Sequence, residues 1–444
     1  MSATSAASAA YDWPKQANAK CAVWLACPGL YDVLIPAIRP AASILPDTID
    51  LMSTLPPDLL QRIADGAAQR DAQREQPFAL IEEIKATGFG ARRLDADYGG
   101  GGATFVQTLE TAIELGAADP NIAHIWRNHH VALERVLNAP LQHPGVAALR
   151  ERVRAGDLIG ASHTELGQAQ IGGTGVLSTR LVRQGEHYVL NGQKFYSTGS
   201  LFADWLHVTV SVEDGRRAVV LLPRQREGVQ TVDDWYGMGQ RLTGSGTTNF
   251  ENVLVAPHEV LLPDQVPARQ AVLGSTIAQL FLTAVIAGVV SAVARDASAL
   301  LSKRKRNYYY APTPAAADDP ILLSALGERD ADAFATRAIV LAAASEADRA
   351  YAALKSNAAD ADDRLQDAAA AAARAKVVVD RIAHHAATAL FDIAGASATL
   401  TSANLDRHWR NIRTISTHNP TSHKAFALGN LSANQVRLPT QGFF

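Results

Sequence analysis

The spacing of hydrophobic residues changes twice along this chain, from a helical period to an alternating one and back. From Pro57 onward, Leu59, Leu60, Ile63 and Ala67 mark one helical face, and Phe78, Leu80, Ile81 and Ile84 continue it until Gly88 stops the run. Helical spacing resumes at Phe105 and, after Asp119-Pro120, at Ile122. Near Gly156 the period drops to two. Residues 158–256 then hold strand-like runs at Thr179–Val182, Tyr188–Leu190, Trp205–Val212, Ala218–Leu222, Val229–Val232 and Asn249–Val255. Asn191-Gly192 suits a two-residue turn, which predicts a hairpin with strands on either side of it. After Pro257 and Pro263 the helical period returns, over roughly 269–304, 328–357, 362–396 and 403–418. The tract Ala368 to Ala373 is a strong helix former, given Val377, Val378, Val379 and Ile382 after it. The pattern predicts an α+β chain without internal repeats. Its parts are an extension at 1–50, a helical domain at 51–156, a β domain at 157–264 and a helical bundle at 265–444.

Composition narrows the class. The 444 residues suffice for a large core, and 48% hydrophobic against 19% charged residues is a soluble globular balance. A net charge of -3 gives no general attraction to nucleic acid or anionic membrane. Cys21 and Cys27 both lie in the extension, so no disulfide framework is expected in the body, and a cytoplasmic location is expected. Residues 21–38 are apolar but interrupted by Pro28, Asp32 and Pro36. Residues 270–294 carry no charge and are long enough to span a bilayer, yet their Gln, Thr, Ser, Ala and Gly content reads as the central helix of a large bundle.

Three stretches carry candidate chemistry. Residues 121–130, NIAHIWRNHH, place His124 and Asn128 four apart on one helix face. A zinc site is not expected there, because the turn supplies no carboxylate and no cysteine. Residues 195–200, FYSTGS, end a strand in small hydroxyl residues that let a flat ligand approach the backbone. The run Lys303-Arg304-Lys305-Arg306 is either a phosphate contact or a solvated charge run. The glycines at 99–102 precede no Gly-Lys-Ser/Thr, and no dinucleotide fingerprint follows a strand.

FYSTG at 195–199, DDWYGMGQRLTGSGTTNFENVLVAP at 233–257, LDRHWRNIRTISTHNP at 405–420 and the terminal GFF together resemble the acyl-CoA dehydrogenase fold, in its reduced-flavin monooxygenase branch of the dibenzothiophene type. The resemblance covers roughly residues 57–444. It implies an N-terminal helical domain, a middle β-barrel or sandwich domain and a C-terminal four-helix bundle. It also implies a two-component enzyme that takes reduced FMN, rather than FAD, from a separate NAD(P)H:flavin reductase. Reduced flavin and O2 then form a C4a-hydroperoxide that oxygenates a small organosulfur or aromatic substrate. Ser162, His163, Thr164, Tyr196, Ser197, Thr198 and Trp235 are the implied ring contacts, and Lys303, Arg304 and Arg306 the implied phosphate contacts. His124, Asn128 and His418 are the implied catalytic residues, and no metal is implied.

Two departures from the family pattern stand out. Ile415 replaces the first histidine of a His-Thr-Leu-His order that ends here at His418, and Leu166 replaces a proline after Thr164-Glu165. A dehydrogenase would also need a carboxylate base beside the flavin. Neither Arg407–Phe444 nor Ile277–Ala294 contains an Asp or Glu, which argues against the FAD-dependent dehydrogenase alternative. The other alternative, a nucleic-acid-binding relative using residues 303–306, has too small a basic footprint. The uncharged helix at 270–294 suggests more apolar surface than one bundle hides, hence a homotetramer.

Overall fold

The computed structural model describes residues 55–166, 175–440 and 444, and the chain from Ser53 to Phe444 forms one compact unit. The extension, with both cysteines and the apolar stretch 21–38, lies outside the described residues.

Five helices come first: α1 (Pro57–Gln73), α2 (Phe78–Ala86), α3 (Phe105–Ala118), α4 (Pro120–Ala132) and α5 (Pro144–Arg154). Local sequence starts them where it should. Thr104 and Gln107 close a capping box at α3, and Asp119 caps α4 with Pro120 in the first turn. A π-helical turn, Leu133–Leu137, extends α4. The strands follow as β1 (Ile159–Ser162), β2 (Arg180–Gln184), β3 (His187–Lys194), β4 (Trp205–Ser211), β5 (Arg217–Pro223), β6 (Val229–Thr231), β7 (Thr248–Val255) and β8 (Val260–Leu261). Their order is β6-β7-β3-β2-β4-β5-β8, with β1 parallel to β4. A single pair, Arg180 with Ser211, joins β2 to β4, so the sheet is two layers hinged at that point.

The predicted hairpin at Asn191-Gly192 is not there. β3 runs unbroken through both residues, and the register against β7 shifts between Leu190 and Gly192. The extra residue sits on β7, where Glu251 and Asn252, the latter at φ +50°, lie opposite Asn191, and Gly192 is required because a Cβ would stand 2.5 Å from Thr179 Cα at φ +146°. The hairpin turn falls instead at Gly185-Glu186, between the paired residues Gln184 and His187.

The remaining helices are α6 (Ala268–Lys303), α7 (Pro320–Lys355), α8 (Ala361–Ala394), α9 (Asp406–Ser416) and α10 (Thr421–Asn434). α6 is long and apolar enough to cross a membrane, but 89% of its apolar window is buried inside the chain, in a core shared with α3, α4, α7 and α8. The sequence argument for a tetramer therefore loses its motive, since this one chain covers the uncharged helix. At the crossing of α3 and α6, a Cβ on Gly288 would stand 2.3 Å from Ile113 O. Such contact explains glycine in a helix interior, where it otherwise costs stability. The alanine tract of α8 is largely buried for a related reason, since small side chains let helix axes approach.

Candidate active site

The site forms where the end of β3 meets α4. After Lys194 the chain turns sharply, with Tyr196 at φ +54°, and the Ser197 N–H donates to Gly246 O. Tyr196 stays exposed and meets Trp235 edge to face, ring centroids 5.8 Å apart. Ser197 and Thr198 are buried.

From there a closed circuit of hydrogen bonds runs back to α4. The Asn128 amide donates to Thr198 O at 2.6 Å. The Thr198 hydroxyl meets Ser245 Oγ at 2.7 Å, and Ser245 meets the Thr243 hydroxyl at 2.6 Å. The Thr243 hydroxyl donates to Gln240 O at 2.9 Å, and the Trp235 indole N–H reaches the same carbonyl at 2.8 Å. Finally Gln240 Oε1 meets His124 Nδ1 at 2.9 Å, one helical turn from Asn128.

This circuit fixes the proton on His124. The backbone N–H of Gln240 points at Asn411 Oδ1, at 2.6 Å, so the atom of Asn411 facing it must be oxygen. That oxygen also takes the Gln240 side-chain amide N–H at 3.0 Å, which leaves the Gln240 oxygen to face His124. Nδ1 must then carry the hydrogen, and Nε2 is a bare acceptor, buried and without a partner in the chain. Burial, reinforced by the charge of Arg127, pushes the imidazole down to about 3, so it is neutral at physiological pH. Ser197 Oγ is likewise buried without a partner in the chain.

His418 joins this group from the other side, on the turn between α9 and α10. The next residue, Asn419, donates to Gln279 Oε1 at 2.7 Å, beside Ala278, whose carbonyl takes Arg127 Nε–H at 2.9 Å. Burial and then the charges of Arg127 and His124 hold His418 well below the usual histidine range. The three proposed catalytic residues thus come together with Tyr196, Ser197, Thr198 and Trp235.

Others stand apart. The Ser162 hydroxyl lies fully buried, 3.3 Å from Ser200 Oγ. His163 Nε2 pairs with His207 Nδ1 at 2.6 Å, and Thr164 bridges to Phe195. Glu165, two residues on, forms a buried pair with Lys194 at 2.7 Å and takes the N–H groups of Ser178 and Thr179. The pair and the bridge hold the loop against β3.

Lys303, Arg304 and Arg306 do not reach the site at all. They follow the far end of α6, and 25 helical residues from Ala278 to Lys303 span about 37 Å, more than the length of an FMN. Arg304 donates to Ile393 O at 2.9 Å and lies against Gly395.

The neighbours of His124 are also not what their number suggested. His129 Nε2 meets Gly90 O at 2.8 Å and its Nδ1 takes the Ile159 N–H at 3.1 Å, so it ties α4 to β1. His130 stacks on Phe281. Ile415 is core. Among the described residues no cluster of three or more His, Cys, Asp or Glu could hold a metal ion.

Sequence reasoning missed Gln240, Asn411, Thr243 and Ser245. All four lie inside the stretches 233–257 and 405–420, but only a fold shows that they face α4. It also missed Asp380, which α8 brings against the turn that carries His418. Thr421 Oγ1 donates to Asp380, and Lys376 pairs with it at 2.8 Å, so this carboxylate is already engaged and does not supply the absent base.

The family models described as acyl-CoA dehydrogenase, N-terminal domain, and acyl-CoA dehydrogenase, C-terminal domain, match residues 59–153 and 280–423. The chain is 30% identical over 405 residues to a dibenzothiophene monooxygenase of Mycolicibacterium goodii, covering 87% of this chain and 94% of that one. It is 28% identical over 399 residues to the probable FMNH2-dependent monooxygenase SfnC of Pseudomonas putida, covering 87% and 95%. The crystal structure of methanesulfinate monooxygenase MsuC from Pseudomonas fluorescens superposes with a TM-score of 0.77 at 27% identity, covering 88% of this chain and 100% of that one.

Proposed function

The chain belongs to the acyl-CoA dehydrogenase family, in its FMNH2-dependent monooxygenase branch, and from that premise we propose that it inserts one oxygen atom of O2 into a small organosulfur substrate. Reduced FMN, supplied by a separate flavin reductase, provides the activation of O2 when bound. The observation that carries the reading is the pair of buried acceptor and hydroxyl atoms, His124 Nε2 and Ser197 Oγ, which have no partner in the chain; Ser197 adjoins Thr198, and His124 lies one helical turn from Asn128, which holds the Thr198 carbonyl. Buried polar atoms are rarely left unpaired, and a flavin ring laid along Tyr196–Thr198 is a fitting partner for both.

The roles of the protein's own groups follow from their chemistry. Tyr196 and Trp235 would border a bound flavin ring, and Ser197 would supply it a hydroxyl, while Asn128 fixes the Thr198 carbonyl and with it the strand. His124, held as the Nδ1–H tautomer, accepts a proton or a hydrogen bond at Nε2. His418, neutral and facing it from the α9–α10 turn, holds the second proton position. The buried atoms of His124, Asn128, Ser197 and Thr198 keep water from the inner side of the site, where it otherwise diverts activated oxygen to free peroxide.

The phosphate needs a different source of charge, because Lys303, Arg304 and Arg306 sit too far away in the same chain. A second copy that brings its α6 end to this site supplies them, and a homotetramer satisfies the requirement. Ile321 and Phe334 on α7 and Phe426 on α10 are exposed apolar side chains available for such contacts. Light scattering at working concentration that returns about 47 kDa, the mass of one chain, would rule the assembly out.

The relatives' names span both uncharged and anionic sulfur compounds, dibenzothiophene and methanesulfinate. The decisive experiment combines the purified chain with a flavin reductase, FMN, NADH and 18O2, and follows mass gain across a panel of sulfides, thiophenes and sulfinates. Incorporation of one labelled atom supports the reading. NADH oxidation by the chain and FMN without reductase, or peroxide as the sole product with every substrate, would overturn it.

A further inference from the structure

Among the described residues, the side chains of five arginines are buried: Arg70, Arg93, Arg127, Arg150 and Arg329. Three of them pair with carboxylates, Arg70 with Asp119 at 2.9 Å, Arg93 with Glu134 at 3.1 Å and Arg329 with Asp332 at 2.9 Å. Arg150 has no carboxylate but donates to the carbonyls of Leu137, Ala139 and Leu141 and lies over the Tyr98 ring. Arg127 differs from all four. It is 8% exposed and makes no ion pair. Its two hydrogen bonds go to neutral oxygens, Ala278 O at 2.9 Å and Asn128 Oδ1 at 3.2 Å. A guanidinium has five N–H groups, so most of this donor set is unspent.

A buried cation without a counter-charge is expensive, and an apolar side chain of similar size would be cheaper in its place. The surroundings make matters worse, since Arg135, His124, His163 and His418 are the charged or titratable groups that feel it, and none is an acid. Burial and the charge of Arg135 push even this guanidinium down, to about 9. Its position suggests a use for the expense. Asn128 stands between Arg127 and Thr198, and the contact with Ala278 and the charge felt at His418 put the guanidinium on the α6 and His418 side of Asn128, away from Thr198.

We propose that Arg127 is the substrate-recognition residue of this site and that it binds the acid group of an anionic organosulfur substrate, a sulfinate, sulfonate or carboxylate. The proposal rests on the monooxygenase reading and chooses between the two substrate classes it leaves open. Planar or trigonal oxyanions match the guanidinium fork, and a charge-assisted pair in a water-excluded site strengthens binding by at least about tenfold over a neutral isostere.

The test is a binding measurement, independent of turnover. Full-length FMN-loaded protein is titrated by calorimetry, without reductase, with methanesulfonate and benzenesulfonate. Each is compared with its uncharged methyl sulfone, dimethyl sulfone or methyl phenyl sulfone. The wild-type chain should favour the better-fitting sulfonate over its sulfone by at least about tenfold. Arg127→Met should abolish that preference while changing the sulfone constant less than about twofold, and Arg127→Lys should restore part of it. Equal binding of sulfonate and sulfone by wild type would overturn the proposal, and this comparison needs no variant to fold. Retained preference in Arg127→Met would overturn it as well. So would an Arg127→Met variant that keeps the sulfonate preference but loses affinity for reduced FMN relative to oxidised FMN, since the charge would then serve the cofactor. Sulfonate binding without any oxygenated product would instead sink the monooxygenase reading and leave Arg127 as an anion site.

Discussion

Lowering the pH from 7.5 to 5.5 should destabilise this protein by several kilocalories, because its buried histidines are held neutral. Burial pushes His124 and His207 to about 3, His129 and His408 to about 4, and His130, His163 and His418 well below the usual histidine range, so the first four set a floor to the cost. Hydrogen bonding gives the same answer at His129, where Nδ1 accepts the Ile159 N–H and cannot also carry a proton. A histidine whose folded pKa lies below its unfolded value leaves stability intact above about 6.5 and costs stability as the pH falls from there towards the folded pKa. At pH 5.5 the unfolded imidazole gains about 1.4 kcal/mol from protonation that the folded one forgoes, so four cost about 5–6 kcal/mol. Glu134 runs the other way. Burial raises it to about 7 against the pull of Arg93, and its protonation over the same range returns about 2 kcal/mol. The net loss is at least roughly 3–4 kcal/mol, a large fraction of a typical 5–15 kcal/mol. With a urea slope near 3 kcal/mol/M, the midpoint should fall by about 1 M. Urea unfolding at fixed protein concentration and pH 7.5, 6.5 and 5.5 checks it. A midpoint that stays constant from 7.5 to 5.5 would refute the claim that these imidazoles are neutral and buried in the fold.

Three further outcomes are expected. Lys194→Met strands Glu165, which is 3% exposed, and should cost about 3–5 kcal/mol in denaturant unfolding, much of it recovered by adding Glu165→Leu. Gln240→Leu removes the acceptor that fixes His124, so 15N-resolved imidazole NMR should show an Nε2–H population absent from wild type; an unchanged tautomer means that Gln240 does not set it. His418→Ala should leave fold and FMN affinity nearly intact while product formation drops by about 10²–10⁴-fold and peroxide release rises, whereas full product yield would make this residue structural.

The order helical, β, helical was legible because the hydrophobic period changes sharply near Gly156 and again after Pro257, and the long helices fell within a few residues of their predicted bounds. α7 begins earlier than the pattern suggested because Asp319-Pro320 starts it, a cap whose first turns are too mixed in polarity to show a stripe. α10 was not foreseen at all, its residues being mostly exposed. Asn191-Gly192 misled because Gly192 takes φ > 0 within a continuous strand, making room for Thr179 beside a bulge of β7, where no turn is needed. At the site, His124, Asn128 and His418 could be named from motifs. Gln240 and Asn411 could not, since an amide 171 positions away fixes a tautomer only through tertiary contact. Arg127 was equally hidden: a basic residue on a helix looks solvated until the fold shows that no acid reaches it.

That last contact has a consequence for how the parts of the chain depend on one another. α4 supplies His124, but α4 alone does not decide which nitrogen is the acceptor. Gln240, on the loop after β6, decides it, and the Gln240 side chain is itself oriented by Asn411 on α9. Arg127 is held in the same way from a distance, through Ala278 on α6. Each reactive atom from the N-terminal helices is therefore aimed by the β domain or by the C-terminal helices. The neutral, partnerless Nε2 of His124 exists only when all three parts have docked.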